Sequence, residues 1–151
     1  MFFMRLLTSK QSIVPMEYFE IYAANHETGT MDYVLRLDGY GYYMMNIIDY
    51  LVGNTDRHWG NWGILVDNRT NQPVRLYDLM DFNKAFQAYD SLEGANCLTT
   101  SARMTQKEAA EAAVREIGLN QMGEVKPEWF VEKVVGEMFF KRLEVLKEAA
   151  K

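Results

Sequence analysis

The stretch Gly53-Asn54-Thr55-Asp56-Arg57-His58-Trp59-Gly60-Asn61 constrains what can lie on either side of it. Before it, Tyr43, Met44, Ile47, Ile48 and Leu51 recur at helical spacing. After it, Trp62 to Val66 is strand-like, Asp67 to Gln72 is turn chemistry, and Pro73 to Tyr77 is a second short strand. A glycine-bounded polar loop therefore joins a helix to a β-hairpin. The loop sets Asp56 five residues ahead of Asn61. The hairpin folds the chain back, so that Asp78, 22 positions beyond Asp56, follows its second strand, with Asp81-Phe82-Asn83 just after it.

The rest of the chain reads as helices and loops. Ser12-Ile13-Val14-Pro15 looks like a helix start, with Pro15 at the first helical position and Met16 to Ala24 forming a short helix. Asn25 to Thr30 is a polar loop closed by Gly29, with a solvated His26. From Met31 to Leu51 the pattern is helical, and Gly39 and Gly41 break it into two helices. Residues 82–104 lack periodicity and read as a long loop. Thr105-Gln106-Lys107-Glu108 is a capping box, opening a helix that Gly118 terminates. Pro127 sits near the start of a last helix, whose Phe130, Val131, Val134, Val135, Met138, Phe139, Leu143 and Leu146 make a continuous apolar face. The expected fold is mainly α with a small β-hairpin, in one domain spanning residues 1–151, long enough for a substantial core.

Charge and cysteine usage narrow the partners. The net charge is −5 and no Lys/Arg run exceeds two residues, which disfavours direct contact with a nucleic-acid backbone. Cys97 is alone, so neither an internal disulfide nor a cysteine-based zinc site can form. Met1 to Leu7 is apolar but too short for a membrane span, and it lacks the features of a secretory signal. The reading is a cytoplasmic protein with no membrane partner. The same segment starts abruptly, as a lone strand or as the exit from a missing preceding lobe.

Taken singly, Asp56 is a turn cap and Asn61 a turn residue before a strand. Together they match a chemistry. An aspartate five residues before an asparagine serves phosphoryl transfer: the carboxylate receives the proton of the attacking hydroxyl, and the amide oxygen binds a Mg²⁺ that bridges the ATP phosphates. A second metal carboxylate should follow a short hairpin. Asp78 and Asp81 both qualify; Asp78 is preferred because it follows the strand directly, and the Asp81 triplet lacks a glycine. Arg57 either neutralises a phosphate or braces Asp56 or Asp78. For His58 a metal or general-base role competes with a hydrogen bond that shapes the loop. Trp59 and Trp62 are read as packing residues rather than adenine platforms.

The loop Gly53 to Asn61 resembles the catalytic loop of the HipA-like serine/threonine kinases, and Leu76-Tyr77-Asp78 resembles the place where that family holds its second Mg²⁺ aspartate. The resemblance covers residues 40–85. It implies a protein-kinase-like C-terminal lobe of α+β class, with Asp56 as catalytic base flanked by Arg57 and His58. It implies Asn61 and Asp78 as cofactor and metal ligands with Asp81 competing, ATP and Mg²⁺ as cofactors, and a protein as substrate. The order Asp-Arg-His is also similar to phosphoinositide kinases. Residues 85–102, however, contain no Lys or Arg, and Asn54-Thr55 points to the HipA-like branch. No glycine-rich loop or Val-Ala-x-Lys strand precedes Asp56. The chain therefore reads as a C-lobe without its N-lobe, inactive alone, and completed by an N-lobe-bearing chain or self-associating through exposed apolar surface. The competing class is a non-catalytic interaction module, a regulatory, mobile-element or toxin–antitoxin accessory protein that reuses the lobe. Retention of Asp56, Asn61 and Asp78 together favours the kinase.

Overall fold

A computed structural model describes residues 5–6, 10–18, 29–87, 91–100 and 102–151. The chain divides into two compact units interleaved in sequence. The first takes Met1–Tyr42, Arg57–Asp81 and Leu98–Ser101, and the second takes Tyr43–Asp56, Phe82–Cys97 and Ala102–Lys151. Helices and a small antiparallel sheet give an α+β class that is mainly helical. No helix among the described residues is long and apolar enough to cross a membrane. The expected helix beyond Tyr18 and the loop with His26 lie outside the described residues.

The sheet belongs to the first unit. Its strands β1 (Arg5–Leu6), β2 (Gln11–Pro15), β3 (Gly63–Asp67) and β4 (Gln72–Leu76) lie in that order and pair antiparallel throughout. The hairpin expected from the sequence is β3–β4, each strand displaced by one residue. The sheet is larger than a hairpin, and here the helix start at Ser12 to Pro15 is corrected. Those residues are a strand, with Ile13 opposite Leu65 and Val14 opposite Ile64. Two β-branched side chains in a row fit a pleated, buried surface, and β3 offers one. A helical turn does follow from Met16, where the short helix was expected to begin after Pro15.

Strand β3 has neighbours on both edges, and Gly63 through Val66 are all buried, which accounts for its unbroken apolar run Ile64-Leu65-Val66. Gly63 is there for space: a Cβ would meet the Val14 carbonyl oxygen at 2.6 Å. Strand β4 is an edge, where Pro73 and the exposed Arg75 are tolerated because the outward side of the strand pairs with nothing in the sheet.

Helix α1 (Thr30–Val52) contributes residues up to Tyr42 to the first unit and the remainder to the second. It is broken, as the sequence suggests, but at Asp38 rather than at Gly39 or Gly41: Asp38 has φ −157° and ψ 65°. Its Oδ1 accepts from the Gly41 N–H at 2.9 Å, capping the second segment, and its Oδ2 accepts from the Leu76 N–H of β4 at 3.0 Å. One carboxylate thus ends one helix, starts the next and anchors the sheet edge.

The second unit packs the end of α1 against α2 (Gln106–Ile117) and α3 (Lys133–Ala149). Ile47, Tyr50 and Leu51 meet Ala110, Ala113, Val114 and then Phe139, Leu143 and Leu146. The capping box forms in both directions: the Glu108 N–H donates to Thr105 Oγ1 at 3.2 Å, and the Thr105 N–H donates to Glu108 Oε2 at 2.8 Å. Gly118 is the C-cap. The apolar face assigned to the last helix is corrected at two positions, since Val131 is 102% exposed and Val134, in the first turn of the helix, 64%. The helix starts only at Lys133, after a 3₁₀ turn over Pro127–Trp129, so Val131 precedes it and the helical phase does not apply there.

Arg142 is buried in this core and lies over the Tyr50 ring, 4.7 Å from its centroid. Its guanidinium donates to the carbonyl oxygens of Tyr50 and Ser91. The Tyr50 hydroxyl donates to the Leu92 carbonyl at 2.7 Å. Burial pushes the Tyr50 phenol up to about 12, against the opposing pull of the Arg142 charge. The folded phenol thus holds its proton more tightly than an unfolded one, which titrates near 10. The linked stability is intact below that value and is lost as the pH rises from 10 through about 12. Urea midpoints measured across this window should fall for the wild type and fall less for Tyr50→Phe; parallel curves for the two proteins would refute the assignment.

Candidate active site

The loop between α1 and β3 is held from both ends. On the side of the second unit, Gly53 adopts φ 63° and turns the chain out of the helix. Asn54, fully buried, then fastens the turn. Its backbone N–H donates to the Asp49 carbonyl at 2.9 Å, its Nδ2 donates to Asp49 Oδ1 at 3.0 Å, and its carbonyl accepts from Gln106 Nε2 at 2.6 Å. Thr55 and Asp56 follow as a turn, with Asp56 exposed. A buried amide braced by an aspartate and a glutamine fixes where the chain leaves this unit, two residues before Asp56.

Arg57, His58, Asn61, Asp78 and Asp81 all belong to the first unit. Arg57 is 3% exposed. A charge so buried must be matched by oriented acceptors. Its Nη1 donates to the Asn61 carbonyl at 2.9 Å and to the Met80 carbonyl. One guanidinium therefore ties the loop to the segment that follows β4. These contacts brace backbone carbonyls, beside the two roles weighed for Arg57, a phosphate or the carboxylates of Asp56 or Asp78.

Asn61 is also buried, and its Oδ1 accepts from the His58 N–H at 3.0 Å while its own N–H donates to the His58 carbonyl at 3.1 Å. His58 Nδ1 accepts from the Gly60 N–H at 3.0 Å, so in the neutral ring the proton sits on Nε2. These bonds are the loop-shaping role weighed for His58. Trp62, 4% exposed, packs between Trp59 (5.4 Å between ring centroids) and Tyr42 (6.0 Å), as a packing residue should.

The two aspartates after the hairpin differ. Asp78 is exposed and its Oδ1 receives Arg75 Nη1 at 2.9 Å, a solvated ion pair of small energetic value. Asp81 directly follows Met80, whose carbonyl Arg57 holds, and it has φ 59°. A non-glycine residue in the left-handed region is uncommon and is tolerated best by Asp and Asn. The contact joining Asn61 to this segment thus reaches Met80, the residue before Asp81 and two positions past Asp78.

Among the described residues no three His, Cys, Asp or Glu side chains gather into a metal-holding group. Of the oxygen donors that the sequence reading names for Mg²⁺, the Asn61 amide oxygen accepts from the His58 N–H, and the carboxylates of Asp78 and Asp81 are exposed. Sequence reasoning missed the brace from Arg57 to Met80 and the role of Asn54. The Asn-Thr before Asp56 signalled the second, and no spacing signals the first. Compared with protein families, with curated proteins and with solved structures, the chain matches none.

Proposed function

We propose that the chain is the catalytic subdomain of a HipA-like protein serine/threonine kinase, transferring the γ-phosphate of ATP to a protein hydroxyl when an N-lobe completes it. The observation that carries this reading is the Arg57 guanidinium joined to both Asn61 and Met80, which holds an Asp-x-x-x-x-Asn loop against the segment bearing the later aspartate. Asp56, next to Arg57 in the chain, receives the proton of the acceptor hydroxyl. Arg57 and His58 are positioning residues: the first locks the loop to the segment after β4, the second sets the turn that orients the Asn61 amide. Asn61 and Asp81 would hold Mg²⁺, which would supply positive charge against the negative charge developing on the transferred phosphoryl group. The phosphate-covering loop and its lysine, absent from these 151 residues, come from the N-lobe.

The proposal prefers Asp81 to Asp78 as the metal ligand, because Asp81 adjoins Met80, whose carbonyl Arg57 holds. Titration calorimetry with Mg²⁺ and ATP tests it. Asp81→Asn should weaken metal-dependent binding by about tenfold or more, the usual loss at a metal ligand or its support, and Asp78→Asn should leave it nearly unchanged. The opposite order would return the role to Asp78, and indifference to both would remove the metal site from this segment.

A further inference from the structure

Along one face of α3, Lys133, Glu137, Lys141 and Glu144 alternate in sign. They rim a groove of about 500 Å³ whose floor is Pro127, Phe130, Gly136 and Phe140. Gly136 makes the floor possible: a Cβ there would meet Phe130 Cβ at 3.1 Å, so its absence lets the phenyl ring lie against the helix. Phe130 and Phe140 stand edge to face at 5.8 Å. Beside them Trp129 is 62% exposed, in addition to the outward Val131 and Val134. Apolar side chains left facing solvent close in the chain to an apolar groove are the features of an association surface.

The charge pattern says what. If a second copy of α3 crosses this face antiparallel, related by a two-fold axis near its midpoint, Lys133 faces Glu144 of the copy and Glu137 faces Lys141. Every pair is then of opposite sign, and the symmetry writes each pair twice. A parallel copy would set each charge against its own kind. The charges face solvent: the Lys133 and Glu137 side chains are 90% and 54% exposed with a long intrahelical contact of 3.7 Å, and Glu144, 66% exposed, is held only by a solvated pair with Lys147 at 3.0 Å. Exposed pairs of that kind contribute little and are readily exchanged for partners across an interface. We infer that this face of α3 is a homodimer interface, in which two copies pack their Phe130–Phe140 grooves together with antiparallel helices. The inference is independent of the kinase reading.

Sedimentation equilibrium on the full chain tests it. The wild type should show a monomer–dimer equilibrium. Glu137→Lys, which sets lysine against Lys141 twice, should weaken the dimer by about tenfold, and so should Lys141→Glu. The double exchange Glu137→Lys with Lys141→Glu has the wild-type composition and restores opposite signs at every pair, so dimerisation should return to within about twofold of wild type. Circular dichroism should show the helix content unchanged in all variants, because these side chains are exposed. A wild type that stays monomeric would overturn the proposal. So would a double exchange no better than the single reversals. Association indifferent to all of these charges would assign it to another surface and equally overturn this one.

Discussion

Replacing Asp56 with asparagine is expected to lower phosphotransfer by about 10²–10⁴-fold when the chain works with an N-lobe, the span usual for a positioned acid–base group. Asparagine is nearly isosteric but cannot receive the hydroxyl proton. Asp56 is exposed and ends a turn fastened by Asn54, so the substitution should leave the fold alone. The loss should therefore fall on kcat with the KM for ATP preserved, the signature of a group that acts in the transition state. Transfer of labelled γ-phosphate to a protein acceptor measures it. The chain alone should show negligible turnover, because the proposed reading assigns the lysine and covering loop that act on the phosphates to the N-lobe. Vigorous ATP hydrolysis by the chain alone that survives Asp56→Asn would overturn both the role of Asp56 and the need for a second lobe.

Arg142→Met should destabilise the second unit by about 2–3 kcal/mol. Methionine can fill most of the volume, so the loss comes from the charge-assisted hydrogen bonds to the carbonyls of Tyr50 and Ser91, which keep only longer bonds from the Gly53 N–H at 3.2 Å and the Gly94 N–H at 3.4 Å, and from the contact with the Tyr50 ring. Against a total domain stability of about 5–15 kcal/mol this is a large share. Arg142→Lys should recover only part of it, since an ammonium lacks the planar fork that reaches two carbonyls and stacks on the Tyr50 ring. Urea unfolding followed by circular dichroism gives the number. An Arg142→Met variant within about 1 kcal/mol of wild type would show that water or neighbouring groups satisfy those carbonyls instead.

What the sequence by itself determined is what neighbours in the chain decide. The Thr105–Glu108 capping box forms as written because both of its hydrogen bonds span three residues. The β3–β4 hairpin follows from a turn at Asp67 to Asn71 whose bonds, Asn71 N–H to the Asp67 carbonyl and Arg69 N–H to Asp67 Oδ1, are equally local. The order of helix, polar loop and hairpin, with Asp56 and Asn61 in the loop, was legible for the same reason. Tertiary structure decided the rest. Ser12 to Pro15 became a strand only because β3, some fifty residues on, presents an edge for Ile13 and Val14 to pair with. Asp38 broke α1 where glycines seemed the natural breakers, since its carboxylate could cap a helix and bind Leu76 at once. Arg57 reaches the Met80 carbonyl 23 positions on, a contact that no spacing in the sequence marks. A buried guanidinium must find acceptors, but which carbonyls it finds depends on segments that meet only when the chain has folded, and residue spacing carries no record of that meeting.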